Sequence, residues 1–430
     1  MGRGIRLETI QRYYSGVGRR PTTICCSAIA LSVLSATIAL AQQLGDLELR
    51  LFPTRAAWTL SLNAALTFPP GFADTRGYLP IDGARLAAYD LTGGALLWIV
   101  PAEARSEPVA GDGLVFLLEP SGLTARHDTD GSIAWQLPFL DDLAAPLVWD
   151  SGWLVAATAS GRVLAFRATD GALIWRFEPG VPVHARPSFS GDRLYVPLED
   201  SRLVALRVDN GIPIWERRLG GAPNEALVVG SRLYVGSNDN FFYCLRATTG
   251  EVDWRWRTGA DVVGLPIVDD ERVYFVSKDN VLRGLDRNNG AQRWKRALPL
   301  RPTRGLVRAG DALLVTGTAA KLFAFYLRDG APAGEITGAG ELAAAPHVTR
   351  VNGLPMVTLI TLDIEKGAEV LAVTRSIEPA ASPTAPLPNP IVPPKTMPPV
   401  TPTQDDTAGD PTSRANRPPG RDRVLGVTST

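Results

Sequence analysis

Seven tryptophans recur at a nearly fixed interval along the chain: Trp58, Trp98, Trp135, Trp175, Trp215, Trp254 and Trp294, spaced 40, 37, 40, 40, 39 and 40 residues apart. Four residues before each, from the second onward, stands a glycine: Gly94, Gly131, Gly171, Gly211, Gly250 and Gly290. Gly330 continues that series, with Gly334 where the next tryptophan would fall. A fixed period of this size marks one supersecondary unit used repeatedly, because such a unit buries its apolar face only by stacking on its neighbours.

The columns inside the repeat identify the unit. Ahead of each glycine runs a strand pattern, as in Arg85-Leu-Ala-Ala-Tyr89, Arg162-Val-Leu-Ala-Phe166, Arg202-Leu-Val-Ala-Leu206 and Lys321-Leu-Phe-Ala-Phe325. Its fourth column is always small: Ala88, Ala125, Ala165, Ala205, Cys244, Gly284 and Ala324. A column restricted to small residues predicts close approach of a neighbouring sheet, and it makes Cys244 a small buried hydrophobe rather than a reactive thiol. A second strand lies upstream, as at Leu194-Tyr-Val196 or Leu233-Tyr-Val235, and before it a Pro-led strand, as at Pro146, Pro187 and Pro266. Gly-containing turns such as Asp170-Gly171 and Gly191-Asp192 join them, glycine supplying the positive φ that tight hairpins need. Four short antiparallel strands in about forty residues is the arithmetic of a β-propeller blade. At this spacing the tryptophans read as wedges between blades rather than as sugar-stacking rings.

The two ends of the repeat set the blade count. Ala345-Pro-His347, Met356-Val-Thr-Leu359 and Val370-Leu-Ala-Val373 form an eighth set of inner strands, with Ala372 in the small column and no glycine or tryptophan strand after it. At the other end, Trp58-Thr-Leu-Ser-Leu62 is a tryptophan strand with nothing before it. The expected fold is therefore all-β, an eight-bladed propeller over residues 58–376 whose N-terminal strand completes the last blade and removes its open edge. Seven blades is the alternative if the last set is an appendage.

Outside the repeat, residues 1–41 carry Arg3, Arg6, Arg12, Arg19 and Arg20, then an uncharged run from Ile24 to Leu40, then Ala39-Leu40-Ala41. This reads as a secretory signal cut after Ala41, or as a signal anchor at the short end of a membrane span. No lipobox cysteine follows the run: Cys25 and Cys26 lie at its start, and Cys244 is the third cysteine of the chain. Residues 42–57 are a lead-in. In 377–430, thirteen prolines lie between Pro379 and Pro419 among small and polar residues, a composition that predicts an extended disordered tail, either a spacer or a ligand for a Pro-binding groove.

Charge and motif content narrow the function. The chain holds 44 Lys+Arg against 44 Asp+Glu. Removing the five arginines and Glu8 of the leader leaves 39 against 43, a mild acidity that argues against nucleic acid as a partner. His127, His184 and His347 fall in different units without metal-ligand spacing, and no nucleophile elbow, Walker loop or dinucleotide fingerprint occurs. Asp141-Asp142, Glu199-Asp200, Asp269-Asp270-Glu271 and Asp279-Asn280 fall in turns, where carboxylates are solvated or cap a hairpin, calcium binding being the sharper reading. Trp149 and Trp256 lie outside the periodic column, and Trp149 is either an exposed contact residue or local packing.

The repeat resembles the PQQ-like (quinoprotein) propeller repeat, most clearly in Leu164-Ala-Phe-Arg-Ala-Thr-Asp-Gly171 with Trp175 and in Cys244-Leu-Arg-Ala-Thr-Thr-Gly250 with Trp254. The resemblance covers about residues 58–375. It implies one of two characters. The quinone-dependent alcohol and glucose dehydrogenases have long insertions, a calcium-bound quinone, a catalytic Asp and often an adjacent-Cys disulfide. The BamB-like branch is a compact, non-catalytic, eight-bladed scaffold that follows an export signal. Short connections and the absence of residues for a quinone point to the second, with no cofactor, no metal and no catalytic residue. The resemblance then implies an exported monomeric ring that binds an envelope protein, touching the membrane only through an uncleaved leader or its partner. A membrane-anchored sensor or carbohydrate-binding propeller is the alternative, and a PQQ-dependent dehydrogenase the third reading. The sequence singles out no partner-binding residue.

Overall fold

The computed structural model describes residues 50–376 apart from 318 and 364–366, all within one compact unit, Met1–Glu378. The leader and the Pro-rich tail lie outside the described residues. Every regular element described is a β-strand, and no helix is long and apolar enough to cross a membrane. The strands form eight antiparallel sheets arranged as the blades of a propeller. Blades 1 to 7 occupy residues 71–101, 109–137, 148–177, 188–218, 223–257, 262–297 and 307–337, each a meander of four strands from the ring axis outward.

Blade 8 is built from both ends of the chain. Its inner strands are His347–Val351, Leu354–Asp363 and Gly367–Arg375, with the short Glu341–Leu342 beside them. Its outermost strand is the N-terminal Thr54–Ser61, which pairs antiparallel with Gly367–Arg375 and sets Trp58 opposite Ala372. The ring therefore has eight blades, and the last one closes through strand exchange between the termini of the repeat.

The periodic tryptophan and glycine meet across blade boundaries. Each Trp sits on an outermost strand and donates its indole N–H to a backbone carbonyl of the next blade: Leu91, Asp128, Ala168, Val208, Ala247, Arg287 and Leu327 accept in turn, at 2.6–3.4 Å. The ring lies on the next blade's repeat glycine, so that a Cβ on Gly211 would stand 2.6 Å from Trp175 Cε3. That glycine also has φ near +70° and closes the turn by donating its N–H to the carbonyl four residues earlier, Arg207 for Gly211. Just before it, Asp130, Asp170, Asn210, Asn289 and Asp329 accept from the N–H two residues on, which holds the turn in shape. Gly211→Ala combines a left-handed penalty of about 1–2 kcal/mol with overpacking of about 1–3 kcal/mol. Urea denaturation should show a loss in that combined range, and a change below about 0.5 kcal/mol, the ordinary surface value, would refute the wedge.

The small column has a different cause from the one expected. Its residues stand directly across the strand pair from their own blade's tryptophan: Ala88 faces Trp98, Ala165 faces Trp175 and Gly284 faces Trp294. A Cβ on Gly284 would come within 2.6 Å of Trp294 Cε2. The space is taken by a ring of the same sheet, and the neighbouring blade is reached through that ring. The innermost strands also differ from expectation. They are three residues long in blades 1–4 and 7 but seven in blades 5 and 6, Pro223–Val229 and Val262–Val268. Pro266 thus sits inside its strand rather than leading it, next to a register shift between Val263 and Ile267.

Where the tryptophan series lapses at Gly334, the lead-in segment takes over. The Phe52 ring fills the space a side chain at Gly334 would need, and Leu51 and Phe52 are buried at 0% and 9% exposure among Leu314, Leu322 and Val357 of blades 7 and 8.

Candidate functional site

Antiparallel meanders give the disc two different faces. One carries the blade-to-blade connections and the turns between second and third strands. The other carries the turns between first and second and between third and fourth strands. On the first face the innermost strands of all eight blades converge around a cavity of about 550 Å³.

Its charged lining comes from separate blades. Arg186 of blade 4 donates from Nη2 to Glu107 Oε1 at 2.8 Å, reaching the entry to blade 2, and lies 3.7 Å from Glu225 Oε1 of blade 5. Burial pushes the Glu225 carboxyl above the usual carboxylate range; Arg186 pulls it back and Glu107 pushes it further up. Arg186 Nε is buried without a hydrogen-bond partner among the described residues. Asn224 donates to the Val262 carbonyl at 2.7 Å, and Arg304 donates to the Ala343 carbonyl at 3.1 Å. Gly264 and Gly305 let the inner strands of blades 6 and 7 approach closely, since a Cβ on Gly305 would stand 2.6 Å from Leu265 N. Across the axis, His347 stacks on Phe72 at 4.6 Å between centroids and shares a 2.8 Å hydrogen bond with the Asp74 carbonyl. Burial lowers the His347 pKa, against the pull of Asp74.

On the same face of the disc three large apolar side chains reach solvent: Leu140, at 99% exposure in the connection between blades 2 and 3, Phe68 in the entry to blade 1, and Leu362 near the hairpin of blade 8. Rigid charged walls with apolar side chains on the same face suit recognition of a protein surface more than chemistry on a small molecule. The blade edges add a second feature. The outermost strand of blade 1, Ala95–Pro101, has no charged residue and exposes Leu96, Leu97 and Ile99, whereas that of blade 6, Gln292–Ala297, carries Arg293, Lys295 and Arg296.

The residues singled out by sequence occupy structural positions. Cys244 is fully buried across from Trp254, and burial pushes its thiol up to about 12. Trp149 lies on the innermost strand of blade 3, where its ring fills the space beside Gly111. Trp256 packs against the core that includes Phe242 and Phe275. His184 contacts Asn238 at 3.1 Å, while His127 ends the third strand of blade 2, away from the mouth. The acidic turns are occupied internally. Asp141 pairs with Arg162, and Asp200 with Arg202 at 2.7 Å. Asp269 accepts from Tyr274 at 2.6 Å, and Asp279 holds Arg283 at 2.6 Å. Burial raises the Asp279 pKa, but hydrogen bonds from Arg283, Ser277 and the Gly259 N–H bring it below the usual range. Among the described residues no three His, Cys, Asp or Glu side chains gather as a metal site would require.

The mouth residues Glu107, Arg186, Glu225 and Arg304 escaped the sequence reading. A signal existed for two of them: Glu107 and Arg186 each precede the proline that leads an innermost strand, a column that holds alanine at Ala145 and Ala345.

Comparison with known proteins fits this geometry. The family model described as outer membrane protein assembly factor BamB matches residues 53–148, 120–231 and 215–382. A BamB from Bordetella pertussis is 24% identical over 56% of this chain and 68% of its own length. Quinohemoprotein alcohol dehydrogenase ADH IIB of Pseudomonas putida is 30% identical, but over 29% of this chain and 21% of the enzyme. In three dimensions the crystal structure of BamB from Moraxella catarrhalis superposes with a TM-score of 0.61 at 17% identity, covering 76% of this chain and 99% of that one, which speaks to the fold. With matches running from the closing strand to the end of the last blade, the chain belongs to the BamB family of outer membrane protein assembly factors.

Proposed function

We propose that this protein is an exported, non-catalytic scaffold of the cell envelope that docks a protein partner on the mouth face of its ring, in the service of outer-membrane protein assembly. The observation that carries the reading is the mouth itself. Arg186 lies between Glu107 and Glu225, hydrogen-bonding the first at 2.8 Å and standing 3.7 Å from the second, so its charge is balanced within the cavity wall rather than aimed at a reacting atom. The exposed side chains of Phe68, Leu140 and Leu362 supply a contact surface.

The quinone-dependent reading fits these residues poorly. Its calcium needs a cluster of oxygen ligands, whereas among the described residues no three acidic side chains gather, and the turn acids Asp200, Asp269 and Asp279 are engaged by arginines, a tyrosine and backbone N–H groups. The adjacent pair Cys25-Cys26 lies in the leader sequence, outside the described residues. No step of quinone chemistry is assigned to this chain.

Two measurements test the proposal. Deleting the gene in its own host should lower the amount of folded outer-membrane β-barrel protein, and unchanged levels would contradict an assembly role. Titration of the purified protein with PQQ and calcium should leave its melting temperature unmoved. A saturable rise would overturn the non-catalytic reading, because a ligand that binds the native state raises its stability.

A further inference from the structure

On the face opposite the mouth, four arginines from separate elements line one cavity of about 500 Å³. Arg50 comes from the lead-in segment, Arg272 from the second strand of blade 6, Arg308 from the innermost strand of blade 7, and Arg328 from the outer turn of blade 7. Arg308 also lines an adjoining cavity to which blade 8 contributes Arg350. This concentration stands out in a chain that is mildly acidic once its leader is set aside.

Two acids share this lining with the four arginines, so basic groups are in excess there. Asp269 is occupied by the Tyr274 hydroxyl and by the N–H groups of Glu271 and Arg272. Asp311 accepts from the Leu51 N–H at 3.4 Å, and burial raises its carboxyl against the opposing pull of that hydrogen bond, Arg50 and Arg375. Arg308 has as its hydrogen-bond partner the Gly310 carbonyl, at 3.1 Å. Arg50 and Arg350 form no hydrogen bond or ion pair among the described residues. Arg328 pairs with its sequence neighbour Asp329 at 3.1 Å through an exposed contact that contributes little and gives way easily, whereas the half-buried Arg272 is held by the Tyr274 hydroxyl and by Glu271 at 3.0 Å. The Tyr326 hydroxyl, also in the lining, adds an unengaged donor. Guanidinium groups converging from four chain segments onto one concavity form the arrangement that recognises tetrahedral anions through paired N–H donors.

We propose that this cavity is a binding site for a phosphate-bearing ligand, with Arg308 and Arg328 as its principal contacts and Arg50 at its rim. The site lies on the other face from the proposed docking surface and stands or falls separately from it.

The test uses the exported chain with inorganic pyrophosphate, followed by calorimetry and thermal shift against sodium chloride of matched ionic strength. Saturable binding should appear, with affinity at least tenfold weaker in the R308Q/R328Q variant. Both side chains are exposed, and an unchanged melting temperature without ligand verifies that the variant folds. Co-sedimentation with phosphatidylglycerol vesicles, compared with phosphatidylcholine vesicles, separates the sources. Retention that the variant loses assigns the phosphate to a lipid headgroup, whereas pyrophosphate binding without retention assigns it to a soluble compound. If neither probe binds beyond the salt control, or both bind the variant equally well, the proposal is wrong.

Discussion

Replacing Arg126 with alanine should destabilise the protein by about 3–5 kcal/mol, the cost of leaving one member of a buried ion pair uncompensated. Arg126 and Glu119 are both more than nine-tenths buried, at 8% and 6% side-chain exposure. Nη2 and Nε reach Glu119 Oε1 at 2.8 and 3.2 Å, Nη1 donates to the Gly131 carbonyl at 3.0 Å, and Nη2 also donates to Pro101 in blade 1 at 3.2 Å. Thr124 completes the set by donating to Glu119 Oε2 at 3.0 Å. The alanine variant therefore strands a carboxylate and two carbonyls at once. Substituting both members with apolar residues, E119L/R126M, removes the charges together and should cost markedly less than R126A, because a desolvated pair contributes little net stability over well-packed side chains. Urea denaturation of E119L, R126M and the double variant measures the coupling. Additive effects, or a loss below about 1 kcal/mol for R126A, would mean that the pair is solvated in solution.

Arg126 illustrates what the sequence made legible and what it did not. Periodicity exposes features that every blade shares, because each requirement of the fold returns at the same offset. The Trp–Gly wedge is such a feature, as is the column that clears room for the indole. The missing outer strand of the last unit and the unpaired Trp58 strand even predict how the ring closes. Departures from the repeat were harder. Arg126 occupies a column held by Tyr89, Phe166, Leu206, Leu245, Leu285 and Phe325 in other blades, so a charge there signalled a buried partner. Its partner Glu119 could be found only once the hairpin was folded. Phe52 at Gly334 left no sequence signal beyond the lapse of the tryptophan series, since no period relates the lead-in to blade 7. Glu107, Arg186 and Glu225 belong to three units, and a linear repeat does not say which side chains meet at the axis of a closed ring. The mouth and the arginine cavity are properties of closure, and closure is the step that spacing alone describes least.

That step can be removed directly. A chain starting at Leu62 should lose its cooperative thermal transition and associate at micromolar concentration. Truncation takes away the strand Thr54–Ser61, which is paired along its length with Gly367–Arg375. It also takes Trp58, whose indole N–H reaches the Leu91 carbonyl of blade 1 at 3.1 Å and whose ring lies on Gly94. Leu51 and Phe52 leave with it, uncovering Leu314, Leu322 and Val357. What remains has an unpaired strand containing Val370, Leu371 and Val373 at the edge of blade 8, which is the template for pairing between chains that closed propellers avoid. Loss of Trp58 also parts blade 8 from blade 1, so the damage extends beyond a single sheet. A synthetic peptide spanning residues 50–61 should restore the transition when added in excess, because it binds the closed ring and not the unfolded chain, and so draws the equilibrium toward the closed ring. Rescue should fail for a peptide carrying both Phe52→Ala and Trp58→Ala, which keeps the backbone pairing but neither wedge. A truncated chain that stayed monomeric and melted cooperatively near the wild-type temperature would show that seven blades and an incomplete eighth hold the ring without their closing strand, and that the N-terminal segment serves something other than closure.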